Sequence, residues 1–159
     1  MIKKLLHLIL SPKTYWGTKA SGIMFICLED ETILLLKRSN YVEQPNTWGI
    51  TGGAVNEGFF KTNHKEQDPS NSIFLESARR ETQEELGNVP ETNLLIHIST
   101  YKDKDFTYKT FIYGLGLKEK NSFDIKLNHE HSEYKWFKFD ELPKNLHFGV
   151  KYTLKELGL

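Results

Sequence analysis

At 159 residues the chain fits one domain and is long enough to bury a real core. With 38% hydrophobic and 26% charged residues it has an ordinary soluble composition, and its 21 basic side chains balance 21 acidic ones. That balance argues against a broad nucleic-acid or anionic-membrane surface, which needs excess Lys and Arg, and leaves room for a local basic cleft.

The first segment, Met1-Ile2-Lys3-Lys4-Leu5-Leu6-His7-Leu8-Ile9-Leu10, sets two lysines before an apolar run. His7 interrupts that run, no small-residue cleavage site follows, and it is too short to span a bilayer. A strand or short helix packed on the domain is expected within an N-terminal extension over residues 1–19. Residues 20–28 read as a strand, 29–31 as a polar turn and 32–37 as the returning strand of a hairpin. Cys27, the single cysteine, cannot form an internal disulfide and reads as a buried thiol. The missing disulfide framework fits a reducing, cytoplasmic setting. Residues 39–46 read as a loop leading into Trp48-Gly49-Ile50-Thr51-Gly52-Gly53.

A polar stretch, residues 56–72, shows no core-forming period apart from Phe59-Phe60 and reads as an exposed loop. From about residue 70 to residue 86 the pattern is helical, with Ser70 or Asp68 as cap, Ile73, Phe74 and Ser77-Ala78 facing inward, and Gly87 at the stop. Residues 93–101 and 106–117 read as strands around the hairpin tip Lys102-Asp103-Lys104-Asp105, residues 134–139 as another strand, and residues 148–157 as a closing helix. This order predicts a single mixed α/β domain with helices against a sheet.

The chemistry concentrates on Arg80-Glu81-Thr82-Gln83-Glu84-Glu85-Leu86-Gly87. Glu81, Glu84 and Glu85 stand at i, i+3 and i+4, which puts three carboxylates on one helix face, roughly 5–6 Å apart at Cβ. They also sit near a helix C-terminus, where negative charge is disfavoured. A hard divalent cation with oxygen ligands resolves that conflict. A solvated acidic face would account for a bare E-x-x-E-E. Gly52-Gly53 upstream, Arg80 immediately before Glu81, and Gly87 after the cluster set this one apart.

The segment resembles the signature of the Nudix hydrolases: a glycine, five residues, a glutamate, seven residues, then R-E-U-x-E-E-x-G-U, with U bulky and apolar. Gly53 matches the first glycine and Arg80 to Gly87 the second half, with Thr82 and Asn88 at the U positions. Leu34-Leu35-Leu36-Lys37-Arg38 and Asn46-Thr47-Trp48-Gly49-Ile50 fit as well, and the resemblance covers about residues 20–142. The chain departs from the pattern in three ways. Ser72 stands where the box has its first glutamate, an insertion over about residues 59–71 splits the box, and Thr51 stands where a proline is usual. Glu57 is left without an assigned place, and Glu76 is the expected replacement partner for Arg80.

The resemblance implies an α/β/α sandwich with a mixed β-sheet between helices. It also implies Mg²⁺-dependent hydrolysis of a diphosphate bond in a nucleoside-diphosphate derivative: a nucleoside triphosphate, ADP-ribose, a nucleotide sugar or a dinucleoside polyphosphate. Glu81, Glu84 and Glu85 would hold Mg²⁺, or Mn²⁺ in its place, with the Gly53 carbonyl and Glu130 as further ligands, and Arg80 belongs to the catalytic set. The general base would be Glu81 or a residue of His129-Glu130-His131-Ser132-Glu133-Tyr134-Lys135-Trp136, where Glu130 is preferred over Glu133. His129 and His131 read as surface histidines, since a closed zinc site would want cysteines. Arg38 would meet phosphate oxygens. Trp48, a plug beside the glycine loop, counts with Gly52 and Gly53 among the substrate-side residues, while Tyr101, Phe106 and Tyr108 are further aromatics for stacking on a base. The expected partner is a small nucleotide, with no membrane; a homodimer is left open. The reading from another class is a Nudix-fold module that senses a nucleotide without cutting it, against which stand the three glutamates.

Overall fold

The structure, a computed structural model, describes residues 18–55 and 69–159. The expected N-terminal element, Glu57 and residues 59–68 of the insertion lie outside the described residues.

Among the described residues, seven strands form one mixed sheet. Strand β1 (Lys19–Cys27) turns through residues 28–31 into β2 (Thr32–Arg38), followed by two short strands, β3 (Trp48–Gly49) and β4 (Thr51–Ala54). Helix α1 (Pro69–Leu86) leads to the hairpin β5 (Leu95–Asp103) and β6 (Phe106–Leu115). After α2 (Leu117–Ser122), β7 (His131–Lys138) and α3 (Phe148–Leu157) complete the chain. The sheet runs β3-β2-β1-β6-β5, with β4 also on β1 and β7 also on β2. The long β1–β6 pairing is parallel, and the other pairings are antiparallel.

Alternation along the central strands explains why both faces are covered. Ile23 and Phe25 of β1 and Leu34 and Leu36 of β2 join Phe74, Ala78 and Leu86 of α1 in one cluster. The intervening Met24, Ile26, Ile33 and Leu35 join Val150 and Leu154 of α3 in a second. Strands buried on both sides read as continuous apolar runs, which is how β1 and β2 look in the sequence. The expected helix–sheet–helix sandwich is the observed one. Among the described residues, no helix is long and apolar enough to cross a membrane.

Three elements differ from expectation. The glycine segment forms strands β3 and β4, because its backbone pairs with β2 and β1 although glycine carries little strand propensity. Strand β6 stops at Leu115, and α2 follows, its Leu117 N–H donating to Glu29 Oε1 at 2.9 Å. Strand β7 begins three residues early, at His131, which pairs with Arg38.

Helix α2 is tied to the β1–β2 turn by Lys120, whose ammonium reaches the Asp30 carboxylate and the Thr32 hydroxyl and lies 4.9 Å from the Trp136 ring centroid. The Lys120 hydrogen bond holds the Asp30 carboxyl down at about 2, against an ordinary 3.8. A carboxylate with a lowered folded-state pKa stabilises the fold above its unfolded value, and the effect is lost as pH falls through the folded one. Lys120→Met is therefore expected to be less stable than wild type at neutral pH, with the gap narrowing from about pH 4 to about pH 2. Urea midpoints across that range check this. A gap of constant size would move the effect from the ion pair to contact with Trp136.

Candidate active site

Helix α1 turns a stripe of Phe74, Ser77, Ala78, Thr82 and Glu85 toward the sheet, all of them buried. Hydroxyls stitch it down: Ser21 Oγ donates to the Phe74 carbonyl at 2.7 Å, and Ser77 Oγ to the Ala54 carbonyl at 3.2 Å. Thr82 Oγ1 donates to the Ala78 carbonyl at 2.8 Å and lies 2.7 Å from Thr51 Oγ1. The Thr51 proton then has Thr82, or the Ile23 carbonyl at 3.3 Å, as its acceptor. Thr51, where a proline is usual, and Thr82, at the first U position, thus meet each other in the interior.

Two glycines let β4 close on β1. Gly22 and Gly52 face each other in the register. A Cβ on Gly22 would lie 2.3 Å from the Thr51 carbonyl oxygen, and one on Gly52 would lie 2.6 Å from that of Ser21. With only hydrogens between the strands, the Gly52 N–H reaches Glu85 Oε1 at 3.1 Å. At Gly53 the neighbour is Glu81, whose carboxyl atoms would stand 2.5–2.8 Å from an added Cβ. Gly53 fits its place because the carboxylate of α1 is pressed against its backbone. The expectation identified Gly52 and Gly53; Gly22 carries no chemical signal and was missed.

The carboxylates divide by environment. Glu85 is 2% exposed, and its second oxygen lies 2.6 Å from His131 Nε2. Burial pushes the Glu85 carboxyl well above the usual carboxylate range, the Gly52 N–H opposes this, and Glu130 adds to it. Glu81 is raised to about 7, chiefly by burial; Arg80 lowers it, and Glu85, Glu84 and Glu130 raise it further. Glu84 is exposed. Arg80 donates to Glu81 at 2.6 Å and to Glu84 at 3.2 Å, so its described partners lie forward on the helix, in place of the expected Glu76.

Residues from other elements complete the site. An open cleft of about 490 Å³ is lined by Arg38, Tyr41, Gly52, Gly53, Glu81 and Glu130, among others. Glu130 is set by the β2–β7 edge: its carbonyl accepts from Ser39 N at 2.8 Å, and its N–H donates to Asn128 Oδ1 at 2.9 Å. Glu133 instead points along the strand surface to Lys37, 3.6 Å away. Arg38 donates from Nε to the Glu43 carbonyl at 2.6 Å, and burial lowers its pKa against the pull of Glu85 and Glu130. Trp48 sits in the α3-side core, edge-on to Phe137 at 4.8 Å, as a plug. Tyr101 pairs with Tyr152 at 5.2 Å.

His131 corrects an expectation. His129 is exposed, but His131 is buried, because β7 begins at this residue and pairs it with Arg38. Burial, then Arg38, lower its pKa to about 4, so the imidazole is neutral at physiological pH. It is a neutral hydrogen-bonding partner of Glu85.

The donor set suits a hard divalent cation in chemistry: carboxylates and a backbone carbonyl, no thiol, and one imidazole already engaged with Glu85. Mutual repulsion among Glu81, Glu84, Glu85 and Glu130 is what such a cation would relieve. Among the described residues no three His, Cys, Asp or Glu side chains converge ready-made on a metal position. Arg80 bridges Glu81 and Glu84, so a cation entering there would take the place of its guanidinium.

A NUDIX domain model matches residues 18–157. The asymmetrical bis(5'-nucleosyl)-tetraphosphatase of Rattus norvegicus is 36% identical over 89 residues, 52% of this chain and 58% of that protein. Nucleoside triphosphatase NudI of Klebsiella pneumoniae (strain 342) is 29% identical over 127 residues, 72% of this chain and 79% of that one. The chain therefore spans little more than half the length of the rat relative. A crystal structure of a MutT protein from Methanosarcina mazei Go1 superposes with a TM-score of 0.60 at 18% identity, covering 92% of this chain and 95% of that one.

Proposed function

Because the chain belongs to the Nudix hydrolase family, we propose that it hydrolyses the diphosphate linkage of a nucleoside-diphosphate derivative, with Mg²⁺, or Mn²⁺ in its place, as cofactor. The observation that supports this reading is the gathering of Glu81 and Glu130 with Gly53 and Arg38 along one cleft, with Glu85 buried beside them and interacting with Glu130 and Arg38. Repelling carboxylates beside a half-buried guanidinium suit a diphosphate that brings its own negative charge and arrives with a divalent cation. The names of the rat and Klebsiella relatives, a nucleosyl tetraphosphatase and a nucleoside triphosphatase, point to the same bond type.

The bound cation would neutralise the diphosphate and acidify a water. Glu81, Glu84 and Glu85 would hold it, with Gly53 and Glu130 as further oxygen donors. Arg38 would meet phosphate oxygens with its planar fork. Glu81 lines the cleft and is one candidate to accept the water's proton. Glu130 faces the same cleft and is the second candidate for that task. Arg80, by bridging Glu81 and Glu84, would offset their mutual repulsion until the cation arrives.

The test is turnover with Mg²⁺ on a panel of nucleoside triphosphates, dinucleoside polyphosphates, ADP-ribose and nucleotide sugars, with products identified by mass. Release of a nucleoside monophosphate from at least one substrate, lost on chelation, is expected. A chain that binds these nucleotides and releases nothing from any of them would overturn the reading.

A further inference from the structure

The four aromatics that the sequence offered for stacking on a base do not line the carboxylate cleft. Trp48 is packed in the α3-side core, and Tyr101 pairs with Tyr152. Phe106 and Tyr108 line a neighbouring recess of about 30 Å³, which has room for water and not for a ring. The cleft itself, at about 490 Å³, falls within the size range of small-molecule sites. The aromatic side chain on its lining is Tyr41.

Tyr41 is 85% exposed. Single exposed apolar side chains are ordinary, and two observations set this one apart. The first is its neighbours: Tyr41 shares the cleft with Arg38, Gly53, Glu81 and Glu130, so a ring stands beside groups that suit phosphates and a cation. The second is the way its turn is held. Arg38 N–H donates to the Thr47 carbonyl at 2.9 Å and Asn46 N–H to the Arg38 carbonyl at 2.8 Å, which closes the loop between β2 and β3 at its base. Ser39, buried, ties the loop to the segment that carries Glu130. Its N–H donates to the Glu130 carbonyl at 2.8 Å, its hydroxyl donates to the His129 carbonyl at 2.7 Å, and the hydroxyl oxygen accepts the Tyr41 N–H at 3.3 Å. Across the loop, Asn46 Nδ2 donates to Asn40 Oδ1 at 3.2 Å. The backbone of Tyr41 is thus fixed on both sides while its ring stands in solvent at the cleft. A platform positioned before its ligand arrives spares part of the ordering cost of binding.

We propose that Tyr41 is the base-stacking residue of this cleft, covering with its ring the nucleobase of a nucleotide whose phosphates lie at Arg38. Every base has a π-face, so a stacking platform selects for the presence of a base and tolerates its identity, with purines ahead of pyrimidines by the size of that face. The proposal rests on the diphosphate reading for where the phosphates lie.

The experiment is calorimetric binding of AMP, GMP, UMP, CMP and the base-free ribose 5-phosphate to the full chain in Mg²⁺. None of these has a diphosphate bond, so binding is read apart from hydrolysis, and the ratio between a nucleotide and ribose 5-phosphate isolates the base. In wild type the four nucleotides are expected to bind roughly five- to a hundredfold more tightly than ribose 5-phosphate, the range of one base–aromatic stack. Tyr41→Ala is expected to bring that ratio close to one and to leave ribose 5-phosphate binding unchanged. Tyr41→Phe and Tyr41→Trp keep a ring and are expected to keep the ratio. An unchanged melting temperature is expected in all three, because the side chain they replace is 85% exposed. The proposal is overturned if wild type shows no preference for nucleotides, if the ratio survives Tyr41→Ala, or if Tyr41→Phe loses as much as Tyr41→Ala, which would assign the contact to the hydroxyl. A Tyr41-dependent ratio without turnover on the substrate panel would support the stack and remove the hydrolytic reading. Turnover with a ratio indifferent to Tyr41 would do the reverse.

Discussion

Glu85→Gln is expected to lower Mg²⁺-supported turnover by a hundred- to a thousandfold, the order seen when a preorganised charge-stabilising group is removed. Both oxygens of this carboxylate are committed, one to the Gly52 N–H at 3.1 Å and the other 2.6 Å from His131 Nε2. An amide has one oxygen, so one of these partners faces an NH₂ group. The folded state, by contrast, is not expected to suffer. Burial pushes the Glu85 carboxyl well above the carboxylate range, so its ionised form is a cost to the metal-free fold near neutral pH, and the neutral amide avoids it. Urea unfolding of the metal-free variant should give a midpoint at or above that of wild type. This split, activity lost and stability kept, separates a working carboxylate from a structural one. Turnover within a few-fold of wild type would remove Glu85 from the site.

Gly53→Ala should cost about a hundredfold in turnover, the scale of an ångström-sized misplacement of a reacting group. The new Cβ would stand 2.5 Å from Glu81 Cδ and 2.7 and 2.8 Å from its two oxygens, so the carboxylate must swing away from β4. Glu81 is the group this substitution moves, which makes the double variant informative. Gly53→Ala in a Glu81→Ala background should lose little beyond Glu81→Ala alone, because the obstructed carboxylate is already gone. Additive losses would show that Gly53 acts through its backbone, independently of Glu81.

Much of the site could be read from the sequence because its signals are local. The spacing of Glu81, Glu84 and Glu85 fixes their side of a helix, and Gly87, at φ 70° with its N–H on the Gln83 carbonyl, ends α1 where expected. Glu130 lines the cleft, while Glu133 turns to Lys37. What was missed depends on partners distant in the chain. His131 looks like one polar residue in a polar run, and only its pairing with Arg38 carries it inward to Glu85, 46 residues away. Strands β3 and β4 lack the side-chain alternation that announces a strand, since their glycines serve close approach. Arg80 had a possible partner at i−4 and another at i+4, and its described contacts run forward, to Glu84 and to the adjacent Glu81.

The hydroxyl contact between Thr51 and Thr82 has a consequence for descent. Thr51 stands where a proline is usual and Thr82 at the first U position, and each buries a polar group that needs a partner. Restoring an apolar residue at either place would leave the other hydroxyl with only a backbone carbonyl to satisfy it, Ile23 in one case and Ala78 in the other. Descent therefore meets two positions coupled by one hydrogen bond, although 31 residues separate them. Exchanging both threonines for apolar residues should cost less stability than the sum of the two single exchanges.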